Sequence, residues 1–104
     1  MYGPYHIYPS GTYTVNFRLK TDQIGADTPY AVIDVTTDNG ETILTKRNVQ
    51  GREFQHSNTY QEFSILFSLD TLKTLEFRIY SLGKAAIWAD NITVSMEKPF
   101  NPND

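Results

Sequence analysis

Apolar and polar side chains alternate one by one through most of this 104-residue chain. Successive side chains on a strand point to opposite sides, so this period marks strands with one buried and one wet face. Tyr13, Val15, Phe17 and Leu19 alternate with Thr12, Thr14, Asn16, Arg18 and Lys20. Ala31, Ile33 and Val35 alternate with Val32, Asp34 and Thr36. A later strand opens at Tyr60 and turns Phe63, Ile65 and Phe67 inward, and another buries Leu75, Phe77 and Ile79. No stretch of ten residues carries a helical period; Asp70-Thr71-Leu72-Lys73 offers one helical turn and no more. Short strands at this spacing predict an all-β sandwich or barrel.

Turn residues punctuate the pattern. Asn39-Gly40 tolerates the positive φ of a tight primed turn, which predicts a hairpin. With those two residues as the loop, Val35 faces Leu44 and Ile33 faces Lys46. A lysine on the inner side places the partner strand at a sheet edge. Gly51 to Asn58 reads as a polar loop, and Asp70 to Thr74 and Ser81 to Lys84 read as turns. In the last strand Ile87 and Ala89 share one parity and Ile92 and Val94 the other, so an extra residue is required near Asp90-Asn91. Residues 1–95 read as one sandwich domain and 96–104 as a tail or linker.

Composition narrows the function classes. With 39% hydrophobic and 13% aromatic residues the chain is a folding composition. A net charge of -3 and scattered basic residues argue against nucleic acid or an anionic membrane surface as partner. No apolar run is long enough for a membrane-spanning helix, so no direct membrane insertion is expected. The absence of cysteine excludes disulfides and thiolate chemistry. The opening Met1-Tyr2-Gly3-Pro4-Tyr5 reads like the interior of a longer protein, which is expected to extend beyond one or both ends.

No catalytic pattern stands out. The two histidines, His6 and His56, lie in polar segments without a Gly-x-Ser-x-Gly nucleophile and without zinc spacing, and read as surface residues. Asp34, Asp38 and Glu41 cluster near one hairpin, where acids are ordinary turn chemistry. The glycines are isolated, so no phosphate loop is present. Asn91-Ile92-Thr93 matches a glycosylation sequon within a predicted strand. The chain is therefore expected not to be an enzyme.

The aromatic residues say more. Trp88 has the parity opposite to Ile87 and Ala89 and should point outward. Tyr80 and Arg78, on the preceding strand, share that outward parity, and Arg18 has the same relation to its own strand. An outward sheet face with Trp88, Tyr80, Arg78 and Arg18 suits sugar: a ring stacks on the apolar side of a pyranose while charged groups take its hydroxyls. The competing reading has Trp88 filling a secondary core under a loop or covering a sheet edge.

The ordered set of strands resembles the galactose-binding-like jelly rolls, the carbohydrate-binding modules appended to glycoside hydrolases, glycosyltransferases and surface proteins. The resemblance rests on Gly3-Pro4-Tyr5 ahead of Pro9-Ser10-Gly11-Thr12-Tyr13, on Val15 to Lys20, Ala31 to Val35, Tyr60 to Phe67 and Leu75 to Arg78, and on Asp90-Asn91-Ile92-Thr93-Val94. It implies a jelly-roll β-sandwich of two antiparallel sheets with eight or nine strands. It also implies an accessory, glycan-binding role in an extracellular or cell-surface protein. Asp90 matches the aspartate that in the family joins a structural calcium site with first-strand acids. Met1 to Tyr13 holds no acid, so half of that ligand set is missing and Asp90 is expected to accept backbone hydrogen bonds at the bulge instead. The alternative function is a structural or protein-interaction sandwich that docks a neighbouring domain of the same chain.

Overall fold

The computed structural model describes residues 2–99. Met1 and the 100–104 part of the expected tail lie outside the described residues. Seven strands form two antiparallel sheets: β1 (Tyr2–Tyr8), β2 (Gly11–Thr21), β3 (Pro29–Thr37), β4 (Thr42–Gln50), β5 (Gln61–Leu69), β6 (Lys73–Ser81) and β7 (Ile87–Pro99). One sheet has the order β1-β6-β3-β4 and the other β5-β2-β7. The period-two residues of β2, β3, β5 and β6 meet between the sheets in one apolar core, with Val15, Phe17, Leu19, Ile33, Val35, Leu75 and Phe77 sealed from solvent. This is a β-sandwich, with seven strands among the described residues where the resemblance implies eight or nine.

Among the described strands only β3 and β4 pair as a hairpin; every other connection between consecutive strands carries the chain from one sheet to the other. The sandwich is closed on one side by Arg47, which projects inward from edge strand β4. Its guanidinium lies 5.6 Å from the Phe63 ring centroid, donates to the Ser64 carbonyl of β5 at 3.0 Å and pairs with Glu53. Glu53 also accepts from the Gln50 backbone N–H at 2.7 Å, completing a capping box around the 3₁₀ turn Gly51–Glu53. Burial alone would raise the Glu53 carboxyl. The Gln50 N–H, the Arg47 hydrogen bond and the charges of Arg47 and Arg52 outweigh it and hold the group below its ordinary range.

The β3–β4 hairpin differs from its expected form. The loop is a 3₁₀ turn over Asp38–Gly40 with Asp38 at φ 56 and Gly40 at φ 88, closed by the Thr37–Thr42 pair. The expected register holds at Thr36–Ile43 and then slips by one, so that Val35 faces Thr45 and Ile33 faces Arg47. Leu44 is the extra residue of a bulge. The edge position of β4 agrees with the sequence reading, although the basic residue on the inner side is Arg47 and not Lys46.

One segment to which the sequence pattern assigns no strand, and one expected to be tail or linker, are strands in the sheets. Tyr2–Tyr8 forms β1 against β6, including the backbone of His6, whose side chain lies outside the described residues. Met96 to Pro99 continue β7 along β2. Within the polar loop after β4, Phe54 is buried, its ring 4.8 Å from that of Phe63. Gly51 in the same loop lies under the Tyr30 ring, where a Cβ would meet the ring at 2.5 Å.

Candidate functional site

The bulge in β7 falls where the parity switch requires it: Arg18 faces Asn91 and Leu19 faces Ala89, leaving Asp90 as the extra residue. Ile87, Ala89, Ile92 and Val94 pack against the core, and Trp88 stands on the outer face of the β5-β2-β7 sheet, 43% exposed. Lys20 is its register partner on the central strand β2. On the other side of Lys20 lies Tyr60, the residue before β5. The bond from the Asn58 N–H to the Thr21 carbonyl, at 2.7 Å, holds that approach to β5 against the end of β2.

These placements build a row across β7, β2 and the approach to β5. The Lys20 ammonium is 4.9 Å from the Tyr60 ring centroid and 5.0 Å from the Trp88 ring, within cation–π range of both. One step along β2, the Arg18 guanidinium lies 5.5 Å from the Tyr60 centroid, and its Nε is 3.2 Å from Asp90 Oδ2. Both members of that ion pair are well exposed, at 45% and 39%. The row is therefore open, aromatic at both ends and cationic in the middle, with one acid beside it. Lys20 and Tyr60 were not singled out by sequence parity. Lys20 shares the outward parity of Arg18, and Tyr60 has the parity opposite to Phe63 and Ile65, which could have marked both; β5 itself begins one residue after Tyr60.

The four residues expected to share one face do not. Trp88 and Arg18 belong to this row, whereas Arg78 and Tyr80 lie on the outer face of the other sheet, across the core. The strands β6 and β7 are consecutive but belong to different sheets, and parity fixes which side of a strand a residue takes without fixing its sheet. On that second face Arg78 donates from Nε and Nη2 to the two Asp34 carboxylate oxygens, each at 2.9 Å. The pair is largely buried, with side chains 16% and 3% exposed. The Asp34 hydrogen bond and charge outweigh burial and raise the Arg78 guanidinium further above its already high range. Gly40 packs against the same guanidinium, and Tyr80 lies along it with its ring centroid 5.2 Å from Arg78 Cζ. This arrangement fits an internal tie between β3 and β6 better than a group presented to a ligand.

Asp90, the residue matched to the calcium ligand of the resembling family, has the Arg18 guanidinium as partner in place of the expected backbone groups. Among the described residues, no three His, Asp or Glu side chains are grouped as a metal ion would need. None of the described helical segments is long and apolar enough to cross a membrane. Compared with protein-family models and with curated proteins, the chain matches none.

Proposed function

We propose that this chain is a non-catalytic carbohydrate-binding module of the galactose-binding-like jelly-roll type, accessory to a larger glycan-active or cell-surface protein, and that it meets its glycan on the outer face of the β5-β2-β7 sheet. The observation that carries this reading is the Tyr60–Lys20–Trp88 row beside the Arg18–Asp90 pair. The exposed indole offers a stacking surface for a pyranose, and Arg18 and Asp90 offer a donor and an acceptor for its hydroxyls. The passage of consecutive strands from sheet to sheet supports the jelly-roll assignment.

A protein-docking role would favour one contiguous apolar patch. The most exposed large apolar side chains are instead dispersed: Leu66 on β5, Ile7 and Ile43 on opposite edge strands of the other sheet, and Leu72 in a turn. A glycan array followed by titration of the best ligand tests the proposal. Trp88→Ala is expected to abolish measurable binding while leaving the thermal midpoint within a few degrees. Silence of the wild-type chain on every glycan would overturn the function, and binding that survives Trp88→Ala would overturn the site.

A further inference from the structure

Lys20 stands apart from the other cations of its face by the company it keeps. Arg18 has Asp90 as counter-ion, whereas the Lys20 ammonium sits between two aromatic rings. Among the described residues no carboxylate lies within 4.0 Å of it. Two acids beside the row belong to Arg18: Asp90 is its ion-pair partner, and Glu62 is its register partner on β5. An aromatic pair positions an ammonium but does not neutralise it, since the ring quadrupole supplies no net negative charge. The rings also limit the rotamers of a long side chain that would otherwise sample many, which lowers the entropic cost of engaging an anion. The row therefore presents a fixed positive charge flanked by stacking surfaces.

We infer that Lys20 makes this face selective for acidic saccharides, those carrying a carboxylate or sulfate on a sugar ring, over their neutral counterparts. This rests on the carbohydrate reading above and refines it. A pyranose stacked on Trp88 brings a ring substituent toward the Lys20 ammonium on the next strand, about 5 Å away across the sheet. A compact oxyanion there forms a charge-assisted hydrogen bond that a hydroxyl or methyl ester forms only weakly. Because Lys20 is partly exposed, the gain is that of a surface pair reinforced by hydrogen bonding, a preference of about threefold to tenfold at low salt. It should shrink as added salt shortens the screening length.

The test uses the whole chain on an array of oligosaccharides in matched pairs: oligogalacturonates beside their methyl esters, and sulfated galactans beside the desulfated forms. The pair with the strongest signal is then titrated in solution. The charged member is expected to bind threefold to tenfold more tightly, and the pair that responds distinguishes carboxylate from sulfate. Lys20→Met should bring the ratio of charged to neutral affinity to one, and the thermal midpoint of the variant, measured alongside, reports that it is folded. Lys20→Arg should keep the ratio. Equal binding of charged and neutral members in both pairs, or a ratio that survives Lys20→Met, overturns the selectivity and leaves sugar binding standing. No binding to any glycan on the array overturns the carbohydrate reading, and this inference with it.

Discussion

Arg78–Asp34 is the most buried of the ion pairs among the described residues, and its two single variants should behave unequally. In Arg78→Met, the Asp34 carboxylate loses both hydrogen bonds at a position where only 3% of the side chain reaches solvent. Breaking a buried pair by removing one partner costs about 3–5 kcal/mol. In Asp34→Leu the orphan is a guanidinium that retains the Tyr80 ring and, at 16% exposure, some contact with water. Its cost should be smaller, about 2–3 kcal/mol. Replacing both residues removes two desolvated charges at once, so Asp34→Leu/Arg78→Met should recover most of the loss. Urea denaturation at pH 7 reads this directly. With a slope of about 1.5 kcal/mol/M, Arg78→Met lowers the midpoint by about 2–3 M, Asp34→Leu by less, and the double variant by under about 1 M. If both single variants cost under about 1 kcal/mol, or the double variant loses the sum of the two, the pair is not the desolvated unit described above.

Four further outcomes follow from the packing and the charges. Glu53, held below its ordinary range, contributes stability that is present above the unfolded-state value and lost as pH falls from about 4.5 through the folded-state one; Glu53→Gln should flatten the acid limb of a stability–pH curve. The phenols of Tyr8 and Tyr13 are raised, chiefly by burial, so stability should decline as pH climbs past about 10, in step with tyrosinate absorbance appearing on unfolding. Gly51→Ala forces a methyl group into the Tyr30 ring and should cost about 1–3 kcal/mol by chemical denaturation, although its backbone φ is one that alanine accepts. Phe54→Ala, in a segment that looks like a polar loop, should cost about 3–5 kcal/mol, the penalty of a core phenylalanine.

The strand faces were legible because burial imposes a period on the residues themselves. Phe17, Phe63, Phe67 and Phe77 all point where their parity places them, and Asp90 is the extra residue that the switch between Ala89 and Ile92 demands. The partition into sheets was not legible, since an alternating strand looks the same in either sheet; Arg78 and Tyr80 were thereby set beside Trp88 when the core separates them. β1 escaped notice because Gly3-Pro4 interrupts its pattern and its pairing with β6 spans most of the chain. Arg47 and Phe54 owe their places to contacts made across the gap between β4 and β5, which no local window contains. Half of the candidate site was readable for the same reason: Trp88 and Arg18 follow from parity, but the neighbour that places Tyr60 over Lys20 comes from a different part of the chain.

The scarcity of hairpins sets the tempo at which this molecule can form. Of the neighbouring pairs of described strands, β3–β4 alone can zip from a short turn; the central strand β2 takes one partner from β5 and the other from β7, the last of the seven in chain order. Topologies dominated by such distant pairings fold in milliseconds to seconds. Until β7 arrives, one backbone edge of β2 stays unsatisfied beside a half-covered core, a surface open to pairing with another copy. A chain truncated before Ile87 should therefore aggregate instead of folding, and refolding yield of the full chain should fall as its concentration rises.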